Sequence, residues 1–350
     1  MTMVAAMSRA EARMDALAAE REISGVARVT RAGAVEFERV YGLANRADRV
    51  PVHVGTRFGL ASLTKMFTAV TVVSLVRDGR LTFDARIVDV LPPGRRPATL
   101  RPDVTVHHLL CHTSGIADYA EEEPEDGTEL DYAAIWDDRP SYRMLRPADF
   151  LPLFGDLPPY RAPGDHRYSN AGYILLGLVI EEVAAQPYPE VVAERVFGPA
   201  GMSSSGFFRL DEARPHIATA YLPPVGPDRP WRSNIYSIPV VGGADGGAFS
   251  SAADLDRFLT AYDRGELVGP ELRDIMLTRH ARADDDLFMG YGAWLRGQGD
   301  TFAFGHGGGD PGVEVLVRRF PALDTNIVVL CNMDGCNGDM FRILLDAVTG

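Results

Sequence analysis

Met7, Ala10, Met14 and Leu17 recur at helical spacing behind Ser8, with charged residues on the opposite face, which predicts an amphipathic helix over residues 7–21. Two β-like runs follow at 25–31 and 35–41, joined by Ala32-Gly33, and predict a hairpin. Residues 58–76 are apolar and of helix length, placing Ser62 near the N-terminal end of a buried helix. From there to about Pro215 the signals are mostly helical, at 104–112, 147–155, 171–185 and 189–197, with Pro/Gly-rich loops between them. The last third predicts helices at 252–264 and 271–278, strands at 289–295, 302–305, 313–318 and 325–331, and a closing helix at 338–348.

Strands at both ends of the chain, with helices around and between them, predict an α+β fold: one antiparallel sheet built from the two ends, flanked by helices, with an all-helical region inserted. The expected division is a sheet region of residues 1–60 and 240–350, a mainly helical region of 61–239, and an active site between the two.

Composition narrows the function. The chain has 350 residues, 46% hydrophobic and 24% charged, enough to bury a sizeable core. Its net charge of −13 and the lack of any basic run argue against nucleic acid or an anionic membrane surface and favour a small-molecule partner. Cys111, Cys331 and Cys336 are too few for a disulfide framework, and reduced thiols are expected. No apolar stretch approaches the roughly 20 residues of a membrane span, and residues 1–20 lack the layout of a signal peptide, so the expected location is cytoplasmic. The acidic block Glu121-Glu122-Glu123-Pro124-Glu125-Asp126 reads as a solvated loop. The basic residues are 34 arginines and one lysine, Lys65. Arginine stays protonated and cannot act as a base, whereas lysine can lose its proton in a suitable pocket, so the position of that lysine matters.

Lys65 stands in Ser62-Leu63-Thr64-Lys65. At this separation on a helix both side chains share a face, and a serine hydroxyl needs such a neighbouring base to become a nucleophile. Both lie inside an apolar run, where an unpaired ammonium is costly. Tyr168-Ser169-Asn170 precedes the helix at 171–185. A phenol near a lysine is expected to ionise more easily and to relay a proton, while Asn170 could donate to a substrate carbonyl and touch Lys65, or cap the helix. Gly305-His306-Gly307-Gly308-Gly309 falls between two predicted strands and would let a bare strand edge approach a substrate. Gly307, Gly309 and Gly312 mimic a dinucleotide motif, but Pro311 and a following strand exclude it. Gly-x-Ser-x-Gly, Walker A and His-Glu-x-x-His patterns are absent. His108 and His112 lack a third metal ligand, so a structural His112 is preferred; Cys111-His112 is not expected to act as a nucleophile pair. No metal or cofactor is expected.

In this order the motifs resemble the serine β-lactamase and penicillin-binding-protein superfamily, nearest its class C-like branch of DD-peptidases, D-aminopeptidases and family VIII carboxylesterases. The resemblance runs from Gly42-Leu43-Ala44-Asn45 through Leu109 to Ile116 and Pro163 to Gly177, to Gly305-His306-Gly307-Gly308. It implies Ser62 as nucleophile, Lys65 as base, Tyr168 as second proton-transfer group, Asn170, His306, Gly308 and Gly309 as substrate-side residues, and an oxyanion hole from the backbone N–H groups of Ser62 and Gly309. His306 stands where the family commonly has lysine, and Gly307 where a hydroxyl residue is common. A histidine holds a substrate carboxylate only when protonated. The implied function is therefore a serine hydrolase acting on a small ester or amide through an acyl-Ser62 intermediate. A β-lactamase or DD-carboxypeptidase, and a non-catalytic binding protein on the same fold, are the alternatives. The sequence is silent on oligomeric state.

Overall fold

In the computed structural model, which describes residues 3–122, 124, 130–132, 134–226 and 229–350, an eight-stranded antiparallel sheet joins the two ends of the chain. The N-terminal hairpin supplies β1 (Gly25–Arg31) and β2 (Ala34–Tyr41). The last third supplies β3 (Ala281–Asp284), β4 (Leu287–Met289), β5 (Trp294–Arg296), β6 (Ala303–Asp310), β7 (Val313–Phe320) and β8 (Thr325–Cys331). The order is β2-β1-β8-β7-β6-β5-β4-β3, and the chain ends meet at β1 and β8, with Gly25 opposite Cys331 and Arg31 opposite Thr325.

Both faces of the sheet centre are covered, which is why β8 is buried along its length and apolar from Ile327 to Cys331. Ile327, Val329 and Cys331 pack with the helices α1 (Met3–Glu20) and α6 (Asn337–Thr349), while Val328 and Leu330 join the larger core on the other face, with α5 (Ala252–Asp263). Each such aliphatic side chain contributes about 1.5–3 kcal/mol by leaving water. Between the sheet segments lie α2 (Thr64–Arg77), α3 (Val106–Leu110) and α4 (Asn170–Ala184). Every residue from Thr64 to Leu75 and from Asn170 to Ile180 is buried, so α2 and α4, enclosed on all sides, form the centre of the helical region. No helix among the described residues is long and apolar enough to cross a membrane.

Three segments differ from their sequence reading. Residues 289–295 are not one strand: β4 ends at Met289 and β5 begins at Trp294, with Gly292 at φ +72° turning the chain between them. A side chain at Gly292 would sit 2.4 Å from the Ala69 Cβ, so the turn lies directly on α2. The glycines after Gly305 are not a loop between strands; β6 runs on to Asp310. Residues 58–76 are not one helix. Phe58–Gly59 pairs with Phe249–Ser250, Ala61–Leu63 forms a 3-10 turn, and α2 starts only at Thr64.

Candidate active site

The turn that presents Ser62 is fixed from two sides. The Leu60 N–H donates to the Ala248 carbonyl at 2.8 Å, the Gly247 N–H to the Ala61 carbonyl at 3.2 Å, and the Ala248 N–H to Thr64 Oγ1 at 3.0 Å. Ala61 is held in the left-handed region at φ +44°, a strained conformation that such surroundings sustain. On the other side, a Cβ at Gly308 would lie 2.2 Å from the Leu60 carbonyl oxygen. Only glycine lets β6 approach that closely, and this brings Gly308 and Gly309 alongside the Ser62 turn. Because β5 pairs with β6 only from Ala303 to Gly305, residues 306–310 have no strand partner on that side.

Lys65, in the first turn of α2, is fully buried. Its Nζ lies 2.9 Å from Ser62 Oγ, 2.6 Å from Asn170 Oδ1 and 2.7 Å from the Asp245 carbonyl oxygen. The last two can only accept, so they take the two N–H groups of a neutral amine and leave its lone pair facing the serine hydroxyl. Burial pulls the Lys65 pKa below its ordinary value, opposed by Asp245 first and then by Glu122, Asp118 and Asp310.

Tyr168 hydrogen-bonds Ser62, and its ring lies 4.8 Å from Lys65 Nζ. The expected easier ionisation is not found. Burial, followed by the Glu122 charge, raises the Tyr168 pKa well above its ordinary value, outweighing the hydrogen bond to Ser62, so the phenol keeps its proton. His112 stacks on this ring at 4.4 Å and accepts the Ser169 N–H on Nδ1 at 3.0 Å, a structural role. It lies beyond the end of α3 at φ +58°, so it cannot form a helical pair with His108, which folds back onto Thr105 at the start of α3. Cys111 is buried and its thiol is pushed up to about 11, unsuited to nucleophilic work.

Asn170 is buried at the first position of α4, but it is not the cap: Ser169 Oγ accepts the Gly172 N–H at 3.0 Å. Asp118, which sequence reasoning missed, takes the Asn170 N–H at 2.5 Å and those of Ala171 and Ala120 at 3.2 Å. Even with these three donors, burial raises Asp118 to about 7.

His306 is 3% exposed, donates from Nδ1 to the Gly307 carbonyl, and lies beside Trp294. Burial, with Lys65 adding to it, lowers its pKa to about 3, so the imidazole is neutral. The third-motif position therefore carries no positive charge.

A cavity of about 180 Å³ opens from Ser62. Ser62 and Asn170 line it, whereas Lys65, Tyr168, His306, Gly308 and Gly309 do not. Glu122, Asp245 and Asp310 line it too, and the sequence had flagged none of these as site residues. Asp245 accepts the Tyr119 hydroxyl on its side chain while its backbone holds Lys65. Burial and then the neighbouring Asp245 and Glu122 raise Asp310 to about 8. The acidic block is not wholly turned to solvent: Glu121 pairs with Arg167 at 2.9 Å, and Glu122 accepts Asn170 Nδ2 at 2.8 Å. Glu123, Glu125 and Asp126 lie outside the described residues.

A serine, a buried lysine one helical turn away, a tyrosine on the serine and a glycine-lined strand edge form the set expected from the sequence resemblance. The family model described as Beta-lactamase matches residues 10–345. The chain belongs to the Beta-lactamase family. It is 37% identical to the penicillin binding protein from Bacillus halodurans, with a TM-score of 0.88 over 95% of this chain and 99% of that one. It is 25% identical over 336 residues to Penicillin-binding protein 4* of Bacillus subtilis (strain 168), covering 91% of this chain and 70% of that protein. To Esterase EstB of Burkholderia gladioli it is 34% identical over 210 residues, 59% of this chain and 53% of that protein. As a member of the Beta-lactamase family the protein is an enzyme of the serine-hydrolase type.

Proposed function

We propose that this hydrolase cleaves small esters or amides through an acyl-enzyme on Ser62, with Lys65 as base and Tyr168 as proton donor. The observation that carries the reading is the environment of Lys65 Nζ: buried, lowered in pKa, satisfied by two obligate acceptors and 2.9 Å from the serine oxygen. Lys65 takes the Ser62 proton as Oγ bonds to the acyl carbon. The oxyanion is held by the N–H groups of Ser62 and Gly309. As the tetrahedral intermediate collapses, the carbon to leaving-group bond breaks and the leaving atom takes the Tyr168 proton, which the Lys65 ammonium replaces. Water then adds to the acyl carbon, giving its proton to the Lys65/Tyr168 pair, and Ser62 departs reprotonated.

Relatives named as penicillin-binding proteins support a rival reading, acylation by a β-lactam. Neutral His306 argues against it, because a β-lactam carboxylate would find no cation at that position. Nitrocefin, a D-Ala-D-Ala peptide and short p-nitrophenyl esters, assayed side by side, separate the two. The reading predicts the highest kcat/KM for the esters and none of it in Ser62→Ala. Preferential turnover of nitrocefin would favour the rival, and ester hydrolysis surviving in Ser62→Ala would remove the acyl-Ser62 mechanism.

A further inference from the structure

Two of the three cysteines stand together, away from the acylation chemistry. Cys331 ends β8 and Cys336 immediately precedes α6, with the turn Asn332-Met333-Asp334-Gly335 between them. Both are buried free thiols. The Cys331 thiol hydrogen-bonds Cys336, and this contact, outweighing burial, pulls the Cys336 pKa below its ordinary value, while burial and the same contact raise Cys331 well above. One thiol of the pair is therefore the readier nucleophile and the other lies against it.

Room for the pair is built into the sheet. Gly25 of β1 faces Cys331, and a side chain at Gly25 would sit 3.1 Å from Cys331 Sγ and 2.2 Å from the Leu330 carbonyl oxygen. Met340 Sδ lies 3.8 Å from the same sulfur. A metal ion is poorly served, because no third His, Cys, Asp or Glu among the described residues joins the two cysteines. Cys111 makes an internal contrast: its sulfur meets Thr113 and the His107 carbonyl, with no second thiol beside it.

The turn between the two cysteines is fastened to the catalytic cavity. Cys331 and Asn332 line that cavity, which gives a small peroxide its approach to an otherwise buried pair. Asn332 Nδ2 donates to the Leu43 carbonyl at 3.1 Å and to that of Thr219, also in the lining, at 2.8 Å. Asp334 Oδ1 accepts the Gly312 N–H at 2.8 Å, where β6, the strand carrying Gly308 and Gly309, turns into β7. Drawing the two sulfurs into a bond of about 2.05 Å moves this turn and both of its anchors.

We propose that Cys331 and Cys336 are an oxidisable dithiol, converted by a peroxide into a disulfide that slows hydrolysis by displacing the turn 332–335. The Cys336 thiolate attacks one peroxide oxygen, the O–O bond breaks, and sulfur gives up two electrons to become a sulfenic acid. The other oxygen leaves as hydroxide and takes up the proton Cys336 had released, forming water. The Cys331 sulfur then bonds to the Cys336 sulfur, the S–O bond breaks, and a second water leaves with the Cys331 proton. Two thiols and one hydrogen peroxide thus give one disulfide and two waters, and a thiol reductant reverses the change.

The test treats the reduced protein with hydrogen peroxide, blocks the remaining thiols with iodoacetamide under denaturing conditions, and weighs the tryptic peptide 320–342, which holds both cysteines. That peptide should lose about 2 Da and take up no iodoacetamide, and dithiothreitol should restore alkylation at both positions. In the same samples kcat/KM for a p-nitrophenyl ester should fall about tenfold and return with dithiothreitol. Cys336→Ala, compared with its own untreated sample so that a weakened fold cancels, should keep its kcat/KM through the treatment. Two alkylated cysteines in peroxide-treated wild type, or one driven to a sulfinic acid, would overturn the disulfide. A disulfide formed without change in kcat/KM, or an equal loss in Cys336→Ala, would overturn its effect on hydrolysis. The peptide mass is read without any substrate, so the first result stands apart from the acyl-Ser62 reading.

Discussion

The two sides of Lys65 carry opposite kinds of titratable group. Toward Tyr168 lie imidazoles: His112, His166 at about 4 and His306 at about 3, all lowered chiefly by burial and neutral at working pH. Toward the cavity lie Asp118, Asp245 and Asp310, all raised chiefly by burial. Burial thus disfavours the charged form on both sides, but only the carboxylates, when ionised, stabilise a lysine ammonium. In the proposed mechanism the lysine's basicity is set by that contest: burial favours the neutral amine, and the carboxylates lie near enough to receive the ammonium formed when Ser62 gives up its proton.

The largest effect that would test this division is on the Tyr168 side. A protonated phenol matters most when the leaving group needs a proton, so Tyr168→Phe should lower kcat/KM by about 10²-fold or more for an anilide, and much less for a p-nitrophenyl ester. An equal loss for both would make the tyrosine a packing residue.

On the cavity side, Asp245 is the strongest charge holding the lysine pKa up. Removing it lowers that pKa, so more neutral amine exists at a given acidic pH. In Asp245→Asn the acid limb of the acylation rate should therefore move to lower pH; movement to higher pH would contradict the contest described.

His306→Asn should change the rate without reshaping the pH profile between about 5 and 8, because an imidazole lowered to about 3 does not titrate there. A limb near 6.5 that disappears in the variant would show that His306 is charged in the free enzyme.

The smallest expected effect is on stability. Asp310 is raised from 3.8 to about 8, so its contribution to stability is fully present below about pH 4 and is lost as pH rises through about 8. Asp310→Asn removes that loss. The variant's melting temperature relative to wild type should rise by roughly 5 °C between pH 5 and pH 9, measured by calorimetry.

Much of this site was legible where side chains set the pattern. The spacing of Ser62 and Lys65 inside an apolar run, and the lone survival of a lysine among arginines, pointed to a pair that the structure brings to 2.9 Å. The hairpin and the meeting of the two chain ends followed from alternating residues and a central apolar strand. What escaped the sequence had no pattern to display. β6 continues through His306-Gly307-Gly308-Gly309, where glycines offer no alternation, and its reason for being glycine is the backbone of Leu60, distant in sequence. Asp118 and Asp245 lie in loops and Asp310 ends the glycine run of β6, and all three gain meaning only from Lys65. The direction of the Tyr168 shift depended on how deeply its ring is buried, which proximity to a lysine alone does not reveal.

The account rests on Lys65 acting as the base for Ser62, and intact-mass spectrometry of a single turnover tests that most directly. Wild type mixed with a slowly released p-nitrophenyl ester should gain the acyl mass on the peptide containing Ser62, and Lys65→Arg, always charged, should gain it about 10³-fold more slowly at every pH. Acylation of Lys65→Arg at the wild-type rate would contradict the assignment.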